Sequence, residues 1–173
     1  MVKKIIKPEE LIKKLLDEIK LRRPSASVKG TIWHLVGLMH KQFGPELRND
    51  LEESQDQMYI ELKEQFVSTK PETRTIIGII TGLSFSLETG CTLRSDEIEG
   101  LFVRIKTGMQ PIADVRQKGI QKASMKLFTI HVNLFKKVIP NHAEHMVKLT
   151  LKLCVDMDIN VRDGANDMLG KLM

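Results

Sequence analysis

A polar residue, a β-branched residue and a basic residue, followed three positions later by a small one, recur at long range in this chain. Asp114-Val115-Arg116 has Gly119 after it, and Asn160-Val161-Arg162 has Ala165 after it, an interval of 46 residues. Asp or Asn at a helix start accepts from the unpaired N–H groups of the first turn. Val packs inward, Arg lays its stem along the surface with its head free, and the small residue admits a neighbouring helix. Two degraded copies precede them. Glu72-Thr73-Arg74, with Ile77 in the small position, lies 42 residues before Asp114, and Ser27-Val28-Lys29, with Ile32, lies 45 before that. Repeats of about 40–47 residues belong to helical solenoids of the HEAT and armadillo kind, in which each unit buries its apolar face only against its neighbours.

Apolar spacing fills in the rest. Leu11, Ile12, Leu15, Leu16 and Ile19 predict a helix over 8–21, begun by Pro8 and ended at Arg22-Arg23-Pro24. Ser25 or Ser27 caps a second helix with Val28, Ile32, Leu35, Val36, Met39 and Phe43 as its buried stripe, stopped by Gly44-Pro45. A third helix over 45–67 is expected to break near Glu53-Ser54, because nothing apolar separates Leu51 from Met58. After the turn Ser68-Thr69-Lys70-Pro71, residues 72–87 are apolar on several sides. Their β-branched run would suit a strand, but the repeat phase favours a helix. Ser95 reads as the cap of a fifth helix, with Asp96 and Glu97 against its dipole. The sixth runs from Asp114 to about Lys137. Pro140 ends it, Asn141 with Glu144 begins the seventh like a capping box, and the eighth starts at Asn160. The fold class expected is therefore all-α: an α-solenoid of about four HEAT-type antiparallel helix pairs, one segment over 1–173. Its last apolar residues, Met168, Leu169, Leu172 and Met173, lack the polar face of a terminal repeat and imply a longer array.

Composition narrows the function less than charge distribution does. No apolar run approaches the roughly 18 residues that would span a bilayer, and the basic start Met1–Lys7 is followed by no signal-peptide core. Cys91 and Cys154 stand far apart, as free thiols of a reducing compartment would. The net charge of +5 hides a contrast: residues 44–100 carry −7 and residues 101–140 carry +7. Within the basic block, Lys118, Lys122 and Lys126 fall at i, i+4 and i+8, one helix face over about 12 Å. With Arg116 on the same helix and Arg104 and Lys106 on the preceding one, they are the candidate contacts for nucleic-acid phosphates or an acidic partner. A solvated helix face is the alternative.

Catalysis finds no support in the motifs. GxxxxGK[ST], GxGxxG after a strand, HExxH, GxSxG and the kinase signatures are all absent from the sequence. His131, His142, His145 and Cys154 fall near one helix turn, where zinc is conceivable, but without ligand spacing they read as ordinary helix and turn residues. Trp33 reads as core and His34 as surface. No cofactor and no small-molecule substrate is expected.

Four stretches, Val28–Leu38 (VKGTIWHLVGL), Ile76–Leu87 (IIGIITGLSFSL), Asp114–Phe135 (DVRQKGIQKASMKLFTIHVNLF) and Asn160–Leu172, resemble in order and spacing the N-terminal HEAT-repeat arm of the DNA-dependent protein kinase catalytic subunits. These belong to the phosphatidylinositol 3-kinase-related kinases. The resemblance implies a non-catalytic scaffold segment of a nuclear serine/threonine kinase acting in double-strand break repair by non-homologous end joining. Its kinase domain would lie outside these residues. Its partners would be double-stranded DNA ends, the Ku heterodimer and flanking HEAT repeats. The alternative is a HEAT or armadillo adaptor of another family that meets acidic peptides and no nucleic acid.

Overall fold

The computed structural model describes residues 7–44, 46–111, 114 and 117–173. Among them there is no strand, and the helices pack in neighbouring pairs, as in an α-solenoid. The chain divides into two compact units, one running to Leu93 and the other from Arg94.

The first unit holds α1 (Pro8–Arg22), α2 (Ala26–Phe43), α3 (Arg48–Val67) and α4 (Thr73–Thr89). Links of three and five residues fold α1 against α2 and α3 against α4 as antiparallel hairpins. Helices α2 and α4 then lie side by side in parallel. The Thr75 hydroxyl donates to the Ala26 carbonyl at one end and the Thr89 hydroxyl to the His40 carbonyl at the other. Between these ends the helices meet backbone to backbone. A Cβ built on Gly78 would stand 2.5 Å from the Gly30 Cα, and one on Gly37 would stand 2.5 Å from the Gly82 Cα. Only the absence of a side chain permits such an approach.

That approach reorients α2. Its buried face is Gly30, Ile32, Trp33, Val36, Gly37 and His40, whereas Val28, Leu35 and Phe43, expected inside, are exposed. Ile32 and Val36 are buried as expected, but the rest of the face is displaced because the closest contact is made by glycine. Trp33 is core, as expected; His34 is half-buried and sets its ring edge-on to Phe85 at 5.5 Å. Residues 72–87 are helical, as the repeat phase required.

Helix α3 does not break. Its apolar gap is filled by Ser54 and Gln55, both fully buried. The Gln55 amide donates to the Gly90 carbonyl at 2.7 Å, and its oxygen accepts from the Thr92 N–H and hydroxyl, each at 3.0 Å. A buried amide thus fastens the loop that leaves α4, a role that hydrophobic spacing cannot reveal.

The second unit holds α5 (Ser95–Gly108), α6 (Lys118–Ile130), α7 (Ala143–Leu153) and α8 (Ile159–Leu172). The cap of α5 is Arg94 rather than Ser95: the Arg94 N–H donates to Glu97 Oε2 at 2.8 Å and its guanidinium to Oε1 at 2.7 Å. The predicted sixth helix is shortened at both ends. Asp114 lies ahead of α6, Val115 falls outside the described residues, and 3-10 turns over Val132–Phe135 and Ile139–His142 replace the stretch expected to run to Lys137. The aromatic core explains the early end. Phe102 meets Phe128 at 6.2 Å, Phe135 at 5.5 Å and the His142 ring at 5.2 Å. On a continuous helix Phe128 and His142 would be roughly 21 Å apart, so one ring could not touch both. Asn141 accordingly sits in the second 3-10 turn rather than capping α7. Helix α8 is capped by Asp158, whose carboxylate accepts from the Asn160 N–H at 2.9 Å; Asn160 is one residue inside. Met168 is buried, Leu169 and Leu172 are half-buried, and Met173 is exposed.

Candidate nucleic-acid interface

The candidate site is the basic face of α6. Its buried side carries Ile120, Gln121, Ser124, Met125, Leu127 and Phe128, which turns Lys118, Lys122 and Lys126 outward in a row. The row is less free than its sequence suggests. Lys118 forms an ion pair with Asp156, and the two side chains are only 14% and 13% exposed. One turn on, Lys122 pairs with Asp158 at 2.8 Å in a more open setting. Lys126 is exposed, and among the described residues it has no ion-pair partner.

The acidic turn that meets these lysines is itself fixed. Asp156 also accepts from the Asp158 N–H at 2.8 Å, and Arg162 donates to the carbonyls of Asp156 and Met157 at 2.8 and 3.1 Å. Arg162 is the basic residue of the fourth repeat motif, so the motif's head group reaches past its own helix start, as the pattern implied. In the first unit Arg74 does the corresponding thing, donating to the Ser27 hydroxyl at 2.9 Å. The hydrogen bond from Lys118, more than any other influence, holds the Asp156 carboxyl below its usual range. The bond from Lys122 does the same to Asp158, bringing it down to about 2.

Helices α6 and α8 run parallel, and a groove of about 400 Å³ opens between them. Lys122 and Lys126 stand along its α6 side, Asn160 and Asp167 along its α8 side, and Met125 lies against Gly164 between them. Of the remaining predicted contacts, Arg104 and Lys106 turn to other partners. Arg104 donates to the Gly100 carbonyl of its own helix at 2.6 Å. Lys106 points its ammonium at His142 Nδ1, 3.2 Å away. Arg116 lies outside the described residues. His142 and His145 do not converge on a common point: His142 stacks on Phe102 and His145 meets Gln110 at 3.3 Å.

The family model described as DNA-PKcs, N-terminal, matches residues 1–173, the whole of the chain. The chain belongs to this family. No curated protein matches it at significance. Among the described residues of this DNA-PKcs N-terminal region, no helix is long and apolar enough to cross a membrane, and no group of three potential metal ligands comes together. Cys91 is exposed and Cys154 half-buried.

Sequence reasoning missed Asp156 and Asp158. Their partners lie a whole repeat away, Lys118 being 38 residues before Asp156, so no local spacing signals the pairing.

Proposed function

We propose that this chain is a non-catalytic helical scaffold within a DNA-repair kinase, acting in the nucleus in double-strand break repair by non-homologous end joining. In this reading it contacts DNA, or partners already on DNA such as the Ku heterodimer, and its neighbours in the array are further HEAT repeats. Membership of the DNA-PKcs N-terminal family over the full length carries the reading. The +7 block over residues 101–140 and the open Lys126 at the α6–α8 groove support a polyanion contact on α6. The absence of catalytic motifs from the sequence supports a role in which chemistry is done elsewhere.

One observation favours a second reading, a protein-only adaptor. Lys118 and Lys122 already hold carboxylates, so the stripe has fewer free charges than its sequence offers. Anisotropy of a labelled 20-base-pair DNA duplex, titrated with the chain at 50–200 mM salt, separates the two. The DNA reading expects binding that weakens with salt, and a weaker, shallower response for Lys126→Ala by about 0.9 in log–log slope. Absence of binding at 50 mM salt, by wild type and by variants that neutralise Asp156 and Asp158, would favour the adaptor.

A further inference from the structure

The pairing of the α6 lysines with the turn before α8 has a second meaning. We propose that Asp156 and Asp158 act as an internal stand-in for two phosphates, masking the inner two-thirds of the α6 stripe until a polyanion displaces them. The inference rests on the reading of α6 as a nucleic-acid contact and adds a built-in control to it.

Three observations carry it. The two carboxylates meet two lysines one helical turn apart in matching register, Asp156 to Lys118 and Asp158 to Lys122, as two neighbouring anions on one strand would. The turn is prepositioned rather than floppy: Arg162 holds two of its carbonyls, and Asp158 is at once the cap of α8 and the partner of Lys122. Finally, the mask is graded. The Lys118 pair is the more enclosed, the Lys122 pair is 37% and 24% exposed, and among the described residues Lys126 carries no carboxylate. A polyanion would land first on Lys126 and the groove edge, then compete for Lys122, then for Lys118. The Lys122 pair, open to solvent, exchanges partners at little cost because the net contribution of such a pair is small, and the enclosed Lys118 pair opens last. Displacing the turn leaves α8 its cap, since the Asp158 bond to the Asn160 N–H is independent of Lys122.

The mask predicts that removing charge from the turn strengthens DNA binding. Asp156→Asn with Asp158→Asn keeps an oxygen acceptor at each position, so the turn and the α8 cap persist while both charges go. With the same labelled duplex and salt series, the double variant is expected to steepen the log–log slope by about 1.8, two freed lysines at roughly 0.9 each. The ratio of affinities at 50 and 200 mM salt then grows about twelvefold over wild type. Adding Lys118→Gln and Lys122→Gln to that background is expected to abolish the gain. Circular dichroism keeps the comparison to folded protein. A variant with the same change in net charge elsewhere in the unit, Glu144→Gln with Asp163→Asn, is expected to leave the slope near wild type. An equal gain from that control would overturn the mask, as would an unchanged slope in the double variant while wild type binds; in both cases the DNA reading survives. Absence of binding by wild type and double variant together would overturn both. Binding by the double variant alone would support both.

Discussion

The two units solve one packing problem by opposite means. In each, a pair of helical hairpins sets its second helices side by side and parallel. Helices α2 and α4 are fused through glycine, with backbone against backbone and nothing between them. Helices α6 and α8 keep a groove between them and are tied at one end by Lys118–Asp156 and Lys122–Asp158. Backbone contact is short-ranged, insensitive to salt and intolerant of any added atom. A charged tie is adjustable, screened by salt and open to exchange with an outside anion. The comparison assigns rigidity to the first unit and the capacity to respond to the second.

The largest effect should come from the glycine contact. Gly78→Ala places a methyl group against the Gly30 backbone, which has no flexible end to move. The helices must separate, and overpacking of this kind costs about 3 kcal/mol. The same change at Gly164 meets only the Met125 Cε at 3.2 Å, the free end of a flexible side chain. There the helix preference for Ala, about 1 kcal/mol, should win and stabilise the protein. Urea denaturation of the two variants measures both; equal costs would erase the distinction between the interfaces.

A comparable effect is built into the first unit through His40. It is fully buried on α2, neither ring nitrogen has a hydrogen-bond partner among the described residues, and burial pushes its pKa down to about 4. A base whose folded pKa lies below its unfolded value takes up its proton mainly when unfolded. The neutral ring is therefore at no disadvantage above about pH 6.5, and stability falls as pH drops from there to about 4. At about 1.4 kcal/mol per unit the loss approaches roughly 3 kcal/mol. Denaturation of wild type and His40→Leu across that range should show the slope in wild type only. The Asp158 charge works in the same sense at lower pH: its contribution is present above the usual carboxylate range and is lost as pH falls through about 2.

Smaller effects should follow the exposure of the lysines. Lys118→Ala leaves Asp156 largely enclosed without its cation, a loss of about 2 kcal/mol. Lys126→Ala removes a solvated charge and should change stability by less than about 0.5 kcal/mol. Thermal melts that ranked these two the other way round would mean that the ion pairs do not tie α6 to the turn.

The helices were largely legible because hydrophobic period and turn residues act locally. Repeat phase placed three of the four motifs in or at the first turn of α2, α4 and α8, and rightly preferred a helix for residues 72–87. What was illegible depended on partners distant in sequence. The buried face of α2 is written in Gly30 and Gly37, which carry no hydrophobic signal until Gly78 and Gly82 are placed opposite. The continuity of α3 depends on Gln55 finding Gly90 and Thr92. The early end of α6 depends on Phe102 gathering residues from both sides of Ile130. At the candidate site, the lysine row was visible from its period, whereas its occupation by Asp156 and Asp158 required the packing of α8 on α6.

Native-state hydrogen exchange, read residue by residue at 0.05 and 1 M sodium chloride, tests the contrast between the two interfaces most directly. The account predicts that the Asp158 amide, which donates to the Asp156 carboxylate, loses protection as salt screens the lysine pairs. Amides along the α2–α4 contact should hold or gain protection. Uniform change across both units would contradict it, because the charged tie of the second unit would then be no more adjustable than the glycine contact of the first.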